Sequence, residues 1–140
     1  RLYWVNAGDA RIRGMDVTGG EVATHATGLA PVGLAIDATH VYWTEMAAGA
    51  VMRAPLAGGA PEMLADEQLD PFAILVVDGR IYWTSYNGGL DGPIMSRPVA
   101  GRAPGVGPGV RPLGGPGLRH TSQCIYVLSQ VGAVLSTPRR

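Results

Sequence analysis

Lysine is missing altogether: all 11 basic residues of this 140-residue chain are arginine. A Schiff-base lysine and a P-loop lysine are thereby excluded. Cysteine is reduced to Cys124, too little for an internal disulfide or a four-thiolate zinc site. The longest aliphatic run, Ala73–Val77, falls far short of the roughly 20 residues that a membrane-spanning helix needs, so no transmembrane segment is expected in this chain. Acidic residues stop at Asp91: all 11 Asp and Glu lie before residue 92. Arg97, Arg102, Arg111, Arg119, Arg139 and Arg140 follow with no acid to balance them. These arginines are scattered and not interleaved with aromatics, so nucleic acid is not an expected partner. What is plentiful is glycine and proline, 21 and 11 residues, a composition that disfavours long helices and suits short strands joined by turns.

The chain repeats itself. Tyr3-Trp4-Val5-Asn6, Tyr42-Trp43-Thr44-Glu45, Tyr82-Trp83-Thr84-Ser85 and a weaker Tyr126-Val127-Leu128-Ser129 stand at tyrosine spacings of 39, 40 and 44 residues. Pro31 and Pro71 each precede their tyrosine by 11 residues. Ile12-Arg13-Gly14-Met15, Val51-Met52-Arg53-Ala54 and Ile94-Met95-Ser96-Arg97 recur downstream, the first two followed by Gly19-Gly20 and Gly58-Gly59. A period near 40 built of short strand-like runs is the mark of a four-stranded propeller blade. The second unit predicts strands over 32–37, 41–45, 50–56 and 61–65; the third predicts 72–77, 80–85, 93–99 and a poor fourth. Asp78-Gly79 has the composition of a two-residue type I′ hairpin, Gly8, Gly49 and Gly132 are placed at the next bend, and Asp37 and Asp78 are expected to cap turns.

Neighbouring residues of a strand point to opposite faces of their sheet, so Tyr42 and Trp43 cannot share one core. A sheet covered on one face would leave a large ring wet in every repeat. Stacked blades hide both. Tyr3, Trp4, Tyr42, Trp43, Tyr82 and Trp83 are therefore expected to form the structural core of the repeat.

On these residues the chain resembles the YWTD repeat of low-density-lipoprotein-receptor-type propellers, and is closer still to their secreted or envelope-associated bacterial relatives. Leu34-Ala35-Ile36-Asp37 upstream and Val51-Met52-Arg53 downstream belong to the likeness. It covers residues 1–100 well and 116–138 faintly. It departs at the fourth motif position, where Asn6, Glu45, Ser85 and Ser129 stand in place of aspartate; if that position serves a hydrogen bond, Asn6 and Glu45 fill it better than Ser85. The resemblance implies an all-β fold, a β-propeller fragment of four-stranded antiparallel blades, with blade A partial, B and C full and D partial. It implies an extracytoplasmic module that binds or scaffolds, its ligand a protein or carbohydrate, rather than a catalytic site. A propeller enzyme of lyase or lactonase type, its catalytic groups in other blades, and the extracytoplasmic sensor of a membrane protein are the alternatives.

About three and a half blades are fewer than a closed ring requires, which predicts that further blades of the same chain, or a second copy, complete it. The 101–117 stretch, with seven glycines and four prolines, is expected to be a low-complexity linker or a degenerate strand, because proline cannot donate to a sheet ladder; 118–140 would be the degenerate partial blade. Gly105–Gly109 lacks the flanking strand and helix of a nucleotide-binding loop. His25, His40 and His120 form no i, i+4 metal pair, and neither cofactor nor metal is expected. The best candidate for recognition is the long loop over 86–92, where Tyr86, Asn87 and Asp91 combine an aromatic with polar groups at a rim.

Overall fold

The computed structural model describes residues 1–86, 92–100, 105–106, 117–121, 124–128 and 134–138. The Tyr-Trp runs of the second and third units form the second strands of their sheets, and that of the first unit forms the first strand of its sheet, because β-branched and aromatic residues suit a pleated surface that is covered. Blade A contains β1 (Leu2–Asn6), β2 (Arg11–Met15) and β3 (Ala23–Thr27). Blade B contains β4 (Pro31–Ile36), β5 (His40–Glu45), β6 (Ala50–Pro55) and β7 (Glu62–Ala65). Blade C contains β8 (Pro71–Val77), β9 (Arg80–Ser85), β10 (Ile94–Pro98) and the two-residue β11 (Gly105–Val106); blade D contains β12 (Gly117–His120), β13 (Cys124–Leu128) and β14 (Val134–Pro138). All pairings among the described residues are antiparallel between consecutive strands, in the orders β1-β2-β3, β4-β5-β6-β7, β8-β9-β10-β11 and β12-β13-β14. The architecture is all-β: antiparallel blades in an arc, B and C four-stranded and A and D three-stranded among the described residues, with β4, β8 and β12 as neighbouring inner strands.

Strand alternation sends the two rings of each motif to different blades. Trp43 packs backwards with Val41 and Ala54 against Ile12 and Ala26 of blade A. Tyr42 packs forwards with Val51 and Leu64 against Ile81 and Trp83 of blade C. Tyr82 repeats the forward contact, meeting Leu118 of blade D. Trp43 and Trp83 are both 0% exposed. Trp4 is only half-buried, because no described blade stands behind the back face of blade A; Tyr3, also half-buried, rests beside His25, ring centroids 5.0 Å apart.

The turns follow the repeat with one correction. Asp78 and Gly79 both take positive φ, 48° and 69°, the combination a type I′ hairpin demands. At the following bend Gly49 has φ 60°, but in blade A the corresponding residue is Ala10, φ 54°, and not Gly8. Counting from the tyrosines puts Ala10 opposite Gly49; the nearby glycine is a decoy. Gly132 lies outside the described residues. In the glycine- and proline-rich segment, Gly105 and Val106 pair with Ser96 and Met95, a minimal outer strand of the kind a proline-rich sequence can still supply at an edge.

Candidate functional site

Antiparallel order places the ends of β3, β5, β7 and β9 and the starts of β4, β6 and β8 on one rim. This rim is held together by the same bonds in successive blades. Gly28 N–H donates to Ala10 O and Gln68 N–H to Gly49 O, both at 2.8 Å; Met46 N–H donates to Ala30 O at 3.2 Å and Tyr86 N–H to Asp70 O at 2.9 Å. Each turn between blades is thereby tied to the end of the next tyrosine-tryptophan strand.

Apolar side chains emerge from this frame in pairs. Leu29 is 78% exposed and Met46 37% at the joint of blades A and B; Leu69 is 63% exposed at the next joint, where Tyr86, half-buried, occupies Met46's place and approaches Phe72 at 6.2 Å between ring centroids. The turn carrying Leu69 is also backbone-strained: Glu67 and Asp70 have φ of 53° and 41°, left-handed values that cost non-glycine residues energy and gather at functional segments. Asn87 and Asp91, the other residues expected of the rim loop, lie outside the described residues.

A cavity of about 320 Å³ opens at the joint of blades A and B, between Leu29, Trp43, Ala50, Met52 and Met63, with Glu45 on its wall. Glu45 is 4% exposed, and its charge is balanced by donors already in place. Trp43 Nε1–H donates to Oε1 at 2.6 Å; the backbone N–H groups of Leu29 and Ala30 donate to Oε2 at 2.9 and 2.7 Å. With the carboxylate so occupied, what the cavity offers an entering group is methionine, leucine and alanine surface. Gly28 is required beside it, since a Cβ there would stand 1.7 Å from Glu45 Oε1.

Blade C solves the same problem with other residues. Ser85 is too short to reach the indole, and Trp83 Nε1–H donates at 3.1 Å to Oε1 of Gln68, the residue matching Gly28. This exchange escapes a reading of the motif position alone; the signal was the glycine-to-glutamine change 17 residues before the glutamate-to-serine change.

At the opposite rim, Asp37 caps the hairpin entering β5. Its Oδ1 accepts from Thr39 N–H at 2.7 Å, His40 N–H at 2.8 Å and the Thr39 hydroxyl at 3.0 Å, and its Oδ2 accepts from the Tyr42 hydroxyl at 2.5 Å. Burial alone would raise the carboxyl, but these four bonds prevail and hold it at about 2. Burial, and then the bond to Asp37, raise the Tyr42 hydroxyl well above its usual range. His25 is lowered, by burial first and then by Arg1. His25, His40 and His120 stand on three different blades, and among the described residues no three His, Cys, Asp or Glu side chains gather as metal ligands would.

The arc of blades defines a β-propeller. The chain is similar to one in the crystal structure of a nidogen/laminin complex, with a TM-score of 0.77 and 23% identity over 91% of this chain and 52% of that one. It thus spans about half the length of that neighbour, and the likeness shows the fold. No protein-family model matches the chain, and no curated protein does. Among the described residues no helix is long and apolar enough to cross a membrane.

Proposed function

We propose that this chain is a non-enzymatic binding module built of YWTD-type blades, secreted or held at the cell envelope, which recognises a protein through the rim bearing Leu29, Met46, Leu69 and Tyr86. The observation that carries the reading is the apolar pair repeated at successive joints, with the leucine of each, Leu29 and Leu69, exposed. Isolated apolar side chains are ordinary on surfaces, but rows beside an open apolar cavity suit the anchor residues of a partner. The strained turn at Glu67–Asp70 presents Leu69 at a stability cost, as recognition segments do. Asn87 and Asp91, which follow Tyr86 in the sequence, are proposed as its polar contribution. The structural neighbour comes from a complex of two proteins, which agrees with a propeller used for protein contact.

A photo-crosslinking side chain placed at position 46, compared with one at Val17 on the opposite rim, tests the reading. With extracytoplasmic extracts, position 46 should give a discrete adduct that Leu29→Ser and Leu69→Ser abolish without lowering Tm by more than about 2 °C, since surface substitutions stay within about 0.5 kcal/mol. Equal adducts from both rims, or adducts indifferent to the two leucines, would refute it.

A further inference from the structure

The apolar cavity at the joint of blades A and B has an acidic lip. Ala48 and Ala50 line the cavity, and the carbonyl of Gly49 between them accepts from Gln68 N–H at 2.8 Å, which sets the turn over 66–70 beside it. Asp66, Glu67 and Asp70 are all exposed in this turn, with the exposed Leu69 among them. None of these three carboxylates enters an ion pair among the described residues, whereas Asp9 pairs with Arg11 and Arg13, Asp16 with Arg1, and Glu62 with Arg53. The rim supplies no cation either: residues 27–31, 45–50 and 65–71 contain no Arg, Lys or His. Gln68 fixes the turn from within as well, its Nε2 donating to Asp66 O at 2.7 Å and its Oε1 accepting from Trp83. Three like charges are thus held together on a preset turn, and a cation laid over it relieves their repulsion.

We propose that the partner segment docking here is a peptide at once basic and apolar: one large apolar side chain enters the cavity, and an arginine or lysine near it in the same segment lies over Leu69 and meets Asp66, Glu67 and Asp70. This rests on the rim reading above and adds the chemistry of the partner. The cavity, about 320 Å³, is at the small end of ligand sites and suits a single side chain. Leu29 and Met63, both exposed, form its mouth, and the unbranched thioether of methionine adapts to an aliphatic or an aromatic guest. Leu69 gives the methylene stem of a basic residue an apolar seat while the carboxylates around it face the charged head. Arginine fits better than lysine, since its planar fork can take a carboxylate through two parallel bonds. An uncharged apolar segment would leave the carboxylates without a cation, and a polycation lacking an apolar residue would leave Leu29 and Met63 wet.

The test pans a random peptide library against the whole chain and measures the enriched peptides by fluorescence anisotropy. They should carry a large apolar residue with Arg or Lys close by. The triple variant Asp66→Asn, Glu67→Gln, Asp70→Asn keeps side-chain shape at three exposed positions, and should weaken binding about fivefold at about 50 mM salt but little at about 500 mM. Asp16→Asn with Glu21→Gln, between β2 and β3 at the opposite rim, should leave binding within about twofold. Leu29→Ser with Met63→Ser should weaken it about tenfold at either salt concentration. Enriched peptides without a basic residue, equal losses from the two sets of neutralised acids, indifference to Leu29 and Met63, or no enriched peptide would each overturn the proposal. A crosslinked adduct from position 46 that still depends on Leu29 and Leu69 but ignores the triple variant would overturn it too while leaving the rim reading in place, so the two fail separately.

Discussion

Gln68 accepts from the Trp83 indole at 3.1 Å and so does in blade C what Glu45 does for Trp43 in blade B. The acceptor comes from a turn in one blade and from the strand itself in the other, yet the buried donor is met in both. A buried N–H left unpaired costs about 1–3 kcal/mol, which is why a repeat can lose its motif residue only if another side chain takes over. Gln68→Ala should therefore destabilise by about 2 kcal/mol, and Glu45→Ala, which strands three donors, by about 3 kcal/mol or more. Rebuilding the blade B arrangement in blade C distinguishes equivalence from coincidence. Gln68→Gly and Ser85→Glu should each be harmful alone, yet the double variant should exceed their additive expectation by at least about 1 kcal/mol, measured by urea unfolding. Strict additivity would show the two positions to be independent.

Thr44 locks one blade to the next. Its Oγ1 accepts from Gly33 N–H at 2.9 Å and donates to Phe72 O of blade C at 2.6 Å. The approach is close enough that a Cβ on Gly33 would lie 2.1 Å from Phe72 O. Gly33→Ala should thus cost about 2–3 kcal/mol, and Thr44→Val about 1–3 kcal/mol, with Thr44→Ser largely restoring stability. Gly8→Ala is the control: its Cβ would meet only Asn6 Oδ1 at 3.7 Å, and it should fall within about 0.5 kcal/mol of the parent. A Gly33→Ala variant as stable as Gly8→Ala would mean that the joint can open without penalty.

The repeat made most of this architecture readable in advance, because a 40-residue period and a fixed alternation inside each strand constrain every unit at once. Strands of blades B and C expected at 41–45 and 80–85 are found at His40–Glu45 and Arg80–Ser85. What periodicity could not supply is which residue absorbs a local departure. Ala10 adopts the left-handed backbone that Gly49 adopts one blade later, so composition pointed at Gly8 although register pointed at Ala10. The partners of Trp43 and Trp83 were hidden for a similar reason: their acceptors sit at different positions of the repeat, and only packing brings them to the same place. The apolar rim pairs Leu29–Met46 and Leu69–Tyr86 were also within reach of alignment of the units. They look unremarkable until strand direction puts turn and strand end side by side.

Asp37 gives the fold a defined acid limit. Its folded carboxyl ionises at about 2, below the ordinary value of 3.8, so the folded chain binds fewer protons than the unfolded chain between those values. The resulting stability is complete above about pH 4 and is lost as the pH falls towards 2. Tyr42→Phe removes one of the four bonds responsible and leaves Thr39 and His40 to hold the carboxylate. Its unfolding free energy should be lower by about 1 kcal/mol at pH 7, and the loss between pH 4 and 2 should be shallower than in the parent. Parallel pH profiles for the two proteins would show that the phenol does not act through Asp37.

Trp43 and Trp4 occupy the same position of the repeat but face different surroundings: the first is 0% exposed against blade A, the second half-buried. Burial between blades, rather than membership of the motif, should set what each ring contributes. Trp43→Ala should cost about 3–5 kcal/mol, the range for a fully enclosed aromatic, and Trp83→Ala should match it, because Trp83 is equally enclosed against Tyr42 and Leu64. Trp4→Ala should cost no more than about half as much, since part of its surface is wet before the change. Near-ultraviolet circular dichroism with thermal unfolding of the three variants reads both packing and stability. Equal penalties at all three positions would assign the rings a role within their own sheets, and the wedge-to-wedge packing that orders the arc would then need another source.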